Sequence, residues 1–192
     1  MGAGGTAVLK VVRQGFSLVE LLLVVAILGI LAALVVPQLA STDPQKLSLA
    51  AEETANTLRF ALSEARRTGG YVLVDGKTAS GQLKLFYSTD QAAAPPDSGT
   101  SAIVDPLTKR AVNLYPGGMP FAQGVTLTPQ FRAAGQVWAQ LLIGPGLSQM
   151  QAADGRNQIK GALQANSGVV LALGASSLTV GVNETTGLVG LP

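Results

Sequence analysis

The chain has 192 residues, a formal net charge of +2, and neither cysteine nor histidine. This length is enough for one long helix and one modest globular domain. Without cysteine the domain must be held together by packing, and metal sites built from Cys and His are excluded. The lack of histidine removes the commonest general base, which argues against an enzyme.

A short basic segment, 1–15, opens the chain. Its two charged residues are Lys10 and Arg13, so without this segment the chain has as many basic as acidic side chains. The positive charge is therefore weak evidence for nucleic-acid binding. By the positive-inside rule, the two cations place this segment in the cytoplasm and the C-terminal part across a membrane.

The apolar run Phe16–Val36 follows and contains one charged side chain, Glu20. At about 1.5 Å per residue, such a run spans roughly 30 Å, the thickness of the bilayer hydrocarbon core. We therefore predict a single transmembrane helix over 16–40. A carboxylate in such a helix costs on the order of 2.5–3.5 kcal/mol, so Glu20 is predicted to be functional. Gly29 is either helix filler or a point of close helix approach.

A second helix is predicted over 44–68. Asp43 is a suitable N-cap and Pro44 suits the first helical position, and Pro37 and Pro44 either kink one long helix or break it. Gly69 and the glycine after it end the helix. Apolar residues recur every three or four positions, which predicts a face packed on a domain: Leu47, Ala51, Ala55, Leu58, Leu62 and Ala65.

The remainder, 71–192, alternates short apolar runs with glycine-containing turns, which is typical of strands. A long helix followed by several short strands predicts an α+β fold, with an antiparallel sheet packed on the helix in a domain over 41–192. The predicted strands are Tyr71–Asp75, Gln82–Tyr87, Val125–Thr128, Gln136–Ile143, Val169–Leu173, Leu178–Val182 and Leu188–Leu191.

The block Gly15-Phe16-Ser17-Leu18-Val19-Glu20 separates two interpretations of the N-terminus. An ordinary signal peptide needs small residues after its apolar core, and Val35-Val36-Pro37 is a poor cleavage site of that kind. The block instead resembles the class III signal of type IV pilins and type II secretion pseudopilins, which implies a pilin-like fold.

The resemblance implies roles for three residues. A prepilin peptidase would cut after Gly15, and the new N-terminal residue, Phe16, would be N-methylated. Glu20 would pair with the Phe16 amine of a neighbouring subunit and set the register of a filament. The implied partners are the peptidase, other pilin or pseudopilin subunits and an inner-membrane assembly platform. No catalytic residue, cofactor or metal is expected.

Two C-terminal elements look like those of the minor pseudopilin group that includes the type II secretion H protein and FimT. One is the strand Val125–Pro129 followed by Gly135, and the other is the hairpin Leu178–Val182 with Thr186–Val189. This chain has Leu188 where that group often has a basic residue. We therefore expect a minor pseudopilin, and the alternative is a major or minor type IV pilin for adhesion, twitching motility or DNA uptake.

Two motifs suggest ligand sites but are weak. Gly76-Lys77-Thr78 ends like a phosphate loop, but Tyr71 stands where that loop needs glycine, so a hairpin turn is predicted. Asp154–Asn157 lacks the alternating acids of a calcium loop, so a turn is predicted there too, and calcium binding is left open.

The basic residues of the domain are scattered along the sequence: Lys109, Arg110, Arg132, Arg156 and Lys160. DNA is a candidate partner for such a set. No run of aromatic residues interleaves with them as a stacking platform for bases requires, so the pattern does not favour DNA binding.

Overall fold

The computed structural model describes residues 17–39, 43–88, 101–146, 150–154 and 158–191. The chain divides into two units, Met1–Thr42 and Asp43–Pro192. Helix α1, Leu18–Leu39, belongs to the first unit, and helix α2, Asp43–Thr68, begins the second. The predicted helices are thus two separate elements in the described part of the chain.

Two antiparallel sheets follow α2. The six-stranded sheet has the order β3-β2-β1-β6-β7-β8, and the five-stranded sheet has the order β11-β10-β9-β4-β5. The strands are β1 Tyr71–Asp75, β2 Leu83–Ser88, β3 Asn113–Leu114, β4 Thr126–Ala133, β5 Gln136–Trp138, β6 Gln140–Ile143, β7 Met150–Asp154, β8 Gln158–Ala162, β9 Ser167–Leu173, β10 Ser176–Val182 and β11 Val189–Gly190. The α+β fold class with an antiparallel β domain is confirmed.

The predicted β domain contains two antiparallel sheets, and the prediction of one continuous strand over Gln136–Ile143 is wrong. The run breaks at Ala139, where β5 ends in one sheet and β6 begins in the other. The carbonyl of Ala139 accepts a hydrogen bond from the Gly76 amide at 3.0 Å, next to the β1–β6 ladder. Strands β3, β7 and β8 were not predicted.

The apolar face of α2 forms the centre of the domain, and every member of the predicted stripe is buried. Ala50, Ala55, Ala61 and Ala65 are fully inaccessible, and their small side chains let the helix approach the strands closely. The helix contacts β9 and β10 of one sheet and β1 of the other. One hydrophobic core therefore joins the helix and both sheets.

Two glycines adopt the left-handed backbone that the sequence predicts for them. Gly69, at φ +66°, follows the last residue of α2 and ends the helix. Ala134 and Gly135, at φ +50° and +75°, form the two-residue turn between β4 and β5. Positive φ at both positions is the geometry of tight hairpin turns. The predicted strand–proline–glycine element is thus a hairpin.

The C-terminal strand β11 is fastened to α2 by a side chain. Arg59 donates from Nη2 to the carbonyl oxygen of Val189 at 3.1 Å, and from Nη1 to Asn56 Oδ1 at 3.3 Å. On its other side β11 pairs with β10, with Gly190 opposite Gly181. Both edges of this two-residue strand therefore have contacts within the domain.

A buried carboxylate connects the last turns of α2 to β2. Glu64 is 6 % exposed and accepts hydrogen bonds from Arg67, Nε to Oε2 at 2.9 Å and Nη2 to Oε1 at 2.5 Å, and from the Tyr87 hydroxyl. The hydrogen bond from Arg67 is the main cause that lowers the pKa of Glu64 to about 2. Burial raises this pKa, and the hydrogen bond from Tyr87 lowers it further. The hydrogen bond to Glu64 raises the pKa of Tyr87.

We expect Glu64→Gln to lower stability at neutral pH and to have little effect near pH 2. The folded pKa of Glu64 is about 2 against an ordinary value of 4.5, so its contribution is present above pH 4.5 and is lost as pH falls towards 2. The shift corresponds to at most about 3 kcal/mol, and solvent around exposed Arg67 reduces this to about 1–2 kcal/mol. Urea unfolding followed by fluorescence of the single tryptophan, Trp138, measures it.

The matched control is Glu52→Gln, which removes an exposed acid from the same helix and should leave the unfolding midpoint unchanged. Tyr87→Phe should cost about 1 kcal/mol at pH 7 because it deletes one hydrogen bond. The assignment would be contradicted if the difference in unfolding free energy between Glu64→Gln and the parent chain did not vary from pH 7 to pH 2.

Candidate functional site

The N-terminal helix α1 presents apolar side chains in every direction. Between residues 17 and 31, where side chains are described, all are exposed, including Leu18 at 77 % and Val25 at 60 %. A helix that is apolar on all sides is normally covered by other helices or by lipid. The described surface of α1 is therefore suited to contact with other helices or with lipid.

Glu20 is the one acidic residue in the first turn of α1. The carbonyl oxygen of Ser17 accepts hydrogen bonds from the amides of Glu20 at 3.0 Å and Leu21 at 3.1 Å, which starts the helix just before Leu18. Within the described residues Glu20 has no ion-pair partner. The helix N-terminus favours a negative charge at this position.

The other two predicted site residues, Gly15 and Phe16, lie outside the described residues. Cleavage after Gly15 and methylation of Phe16 therefore stay predictions. Gly29 lies within α1, and a Cβ atom built there meets nothing within 4 Å. Both interpretations of Gly29 stay open.

The membrane span predicted over 16–40 is not confirmed. In the part of the chain that the structure describes, no helix combines the length and hydropathy needed to cross a bilayer.

Gly76-Lys77-Thr78 forms a turn between β1 and β2, as predicted. Asp75 Oδ1 accepts hydrogen bonds from the amides of Lys77 at 2.9 Å and Thr78 at 3.4 Å, and Asp75 Oδ2 accepts one from the Thr78 hydroxyl. Backbone amides of this kind would hold a phosphate in a phosphate loop. In this turn the carboxylate of Asp75 accepts the hydrogen bonds of these amides instead.

The buried residues Asp75 and Gln140 form a polar contact that the sequence did not predict. They lie opposite each other on β1 and β6, each 1 % exposed, and Gln140 Nε2 donates to Asp75 Oδ1 at 2.8 Å. With the turn bonds, this fixes the carboxylate of Asp75 as part of the fold. Glu64 was likewise missed, because in sequence it resembles a surface acid paired with Arg67.

The basic residues are not gathered on one surface. Lys160, on edge strand β8, lies 4.7 Å from the centre of the Trp138 ring and 4.0 Å from Asp154. Lys109 and Arg110 lie in a turn joined to β2, towards the opposite edge of the same sheet. Arg156 falls outside the described residues. The described cations therefore offer no continuous groove for nucleic acid.

The candidate calcium turn is only partly described. Asp154 forms ion pairs with Lys77 and Lys160, and 155–157 lie outside the described residues. Among the described residues no group of three potential metal ligands is present.

Two comparisons relate the N-terminal part of the chain and part of its length to known proteins. Residues 12–36 match the prokaryotic N-terminal methylation motif. The chain is also similar to the type IV major fimbrial protein FimA of Dichelobacter nodosus, with 41% identity over 75 residues.

That alignment covers 38% of this chain and 46% of the fimbrial protein, so the chain spans about half the length of the curated relative it matches. No solved structure matches the chain. Both matches support the pilin family, and neither distinguishes the minor pseudopilin group from other pilin-like proteins.

Proposed function

We propose that the chain is a structural subunit of a type IV pilus-like or type II secretion pseudopilus filament. The observation that carries this proposal is α1, an apolar helix with one acid in its first turn, most of which lies within the matched methylation motif at residues 12–36. The proposed role is mechanical, because a helix that must be covered on all sides suits the core of a bundle of identical helices.

The proposed processing and assembly follow from the first residues of the mature chain. Cleavage after Gly15 by a prepilin peptidase leaves the amine of Phe16, methylated or free, as a cation near neutral pH. In a water-free helix bundle the carboxylate of Glu20 requires a cationic partner. The Phe16 amine of a neighbouring subunit supplies it, and the pair sets the axial register.

Before assembly, we propose, the subunit resides in the inner membrane as a single-pass protein with its C-terminal domain in the periplasm. Lys10 and Arg13 lie on the cytoplasmic side in this arrangement. Lipid covers α1 in the precursor, and neighbouring helices cover it in the filament. An inner-membrane assembly platform performs the transfer.

Two assignments within this class have different support. The β4–β5 hairpin and the closing β10–β11 hairpin support a minor pseudopilin of a type II secretion system. The similarity to a type IV major fimbrial protein supports a type IV pilus subunit for adhesion, twitching motility or DNA uptake.

Deleting the coding gene separates the two assignments. For a pseudopilin we expect substrates of the secretion system to accumulate in the periplasm while surface pili persist. For a pilus subunit we expect pili, twitching or DNA uptake to be lost while secretion continues. Activity of a secreted enzyme in culture supernatant, and electron microscopy of sheared pili, measure the two outcomes. A strain unaffected in all of them would contradict both assignments.

Gly15→Val should leave an uncleaved precursor, because the peptidase needs a small residue before the scissile bond. Immunoblotting detects the larger precursor, and N-terminal sequencing identifies the first residue. The control is Gly5→Val, which makes the same change within segment 1–15 but away from the scissile bond. A normal N-terminus at Phe16 in Gly15→Val would contradict the cleavage assignment.

Glu20→Ala should permit membrane insertion and cleavage but prevent or slow assembly. Breaking a buried ion pair costs on the order of 3–5 kcal/mol, and Glu20→Gln should act similarly because it too removes the charge. The measurement compares the amount of cleaved monomer in the cells with the amount of filament that can be sheared from them. Glu52→Ala, which removes an exposed acid of α2, is the control. Normal filament yield from both Glu20 variants would exclude a role in register.

A further inference from the structure

Residues 183–191, which we call the strap, comprise the turn after β10 and the strand β11. The turn is closed by bonds of its own. The amide of Asn183 donates to the carbonyl of Leu188 at 2.9 Å, and the amide of Gly187 donates to the carbonyl of Asn183 at 2.9 Å. Asn183 Oδ1 also accepts a hydrogen bond from the amide of Thr186 at 2.8 Å. The strap is therefore an ordered segment that holds its own turn in shape.

Within the described residues, the strap has few attachments to the rest of the domain. Strand β11 pairs with β10 over two residues. Leu188 and Leu191 are 65 % and 43 % exposed, and Val189, at 9 %, is the large apolar side chain of the strap that enters the core. Segments with few buried apolar contacts open locally at a free-energy cost well below that of global unfolding. The strap is thus a candidate for local opening.

One hydrogen bond with a charged donor fastens the strap to α2. Arg59 Nη2 donates to the carbonyl oxygen of Val189 at 3.1 Å. Arg59 Nη1 donates to Asn56 Oδ1 at 3.3 Å, which holds the guanidinium on the helix surface. A hydrogen bond with an ionised donor is roughly twice as strong as one between neutral groups. Because the strap has few other attachments, this bond contributes a large share of what keeps it closed.

The strap covers two apolar side chains, Met150 and Leu62. Each is largely buried, at 4 % and 8 % exposure. Gly187 lies directly over them, since a Cβ atom built on it would be 2.8 Å from Met150 Cε and 3.7 Å from Leu62 Cδ1. Gly187 also has φ +69°, so glycine is required there both by space and by backbone conformation. Lifting the strap would uncover this apolar pair beside the edge of β10.

We infer that the strap opens as one unit while the rest of the domain stays folded, and that the bond from Arg59 to Val189 controls this opening. The open state presents the unpaired edge of β10 together with Met150 and Leu62. A partner that binds this surface would draw the chain into the open state, because a ligand shifts a conformational equilibrium towards the state it binds better. The device lies within the globular unit and is independent of the proposed filament function.

Thiol labelling of the full chain in detergent micelles tests the inference, because the native chain has no cysteine. Leu62→Cys places a thiol under the strap. The matched control, Leu141→Cys, places one at a fully buried position of β6, which lies between β1 and β7. Urea unfolding of each variant gives the labelling rate that complete unfolding alone would produce. We expect a maleimide reagent to label Leu62→Cys faster than that rate by roughly tenfold or more, and Leu141→Cys at that rate.

Second substitutions in the Leu62→Cys chain test the role of Arg59. Arg59→Met keeps an unbranched side chain but removes the donor, so it should raise the labelling rate roughly tenfold. Arg66→Met removes an exposed arginine of the same helix and should leave the rate unchanged. Gly187→Ala should also raise the rate, because the added Cβ would lie 2.8 Å from Met150 Cε.

The inference would be overturned if Leu62→Cys were labelled only at the rate set by complete unfolding, since the strap would then open only with the whole domain. It would also be overturned if Arg59→Met accelerated the labelling of Leu141→Cys as strongly as that of Leu62→Cys, or of neither. The measurement uses dispersed chains, so a failure of the proposed filament function would leave its outcome unchanged.

Discussion

The close packing of α2 against two sheets is the constraint on which the globular unit depends. Both sheets bury apolar side chains in the cluster that contains Leu58 and Ala61, and the six-stranded sheet buries Leu73, Leu142 and Ala153 in a second, smaller cluster. The alanines of α2 set the distance between helix and strands, so a larger side chain at Ala55 or Ala61 would separate them. Overpacking of this kind typically costs about 1–3 kcal/mol. With no disulfide to compensate, the domain relies on this fit.

Several buried polar groups in this packing have local hydrogen-bond partners, whereas the Oε1 atom of Gln140 is buried without one among the described residues. The hydroxyl of Thr54, fully buried in α2, donates to the Ala50 carbonyl at 2.7 Å. Glu64 is held by Arg67 and Tyr87, and Asp75 by its own turn and by Gln140. Buried polar groups with partners add directional specificity to a core that otherwise consists of small apolar contacts.

Local sequence patterns predicted the parts of the fold that are determined by interactions between residues close in sequence. The spacing of Leu47 to Ala65 identified the buried face of α2, and glycine identified the end of that helix and the β4–β5 turn. The break at Ala139 was not predictable in this way, because the choice of sheet for β5 and β6 depends on pairing with distant strands. Strands β7 and β8 were missed because Gln, Ala, Asp and Gly give them no apolar alternation.

The residues of the candidate site also divide into those that a local sequence pattern indicates and those that only the fold brings together. Glu20 could be singled out as a candidate, because a single charge in an apolar run is costly wherever the run is buried; its role stays a prediction. The partner of Glu64 on β2 could not be identified from the sequence, because Tyr87 is 23 residues away along the chain and only the fold brings the two side chains together. The contact between Asp75 and Gln140 likewise depends on strand register, which places the two residues opposite each other on β1 and β6.

The bond from Arg59 to Val189 has a consequence for the outer edge of β11. A short outer strand with free carbonyls invites another chain to extend the sheet, which is a route to irreversible aggregation. By occupying that carbonyl with a guanidinium, α2 ends the five-stranded sheet at β11. Copies that meet at this edge can then contact each other through side chains without extending the sheet, which separates ordinary association from amyloid formation.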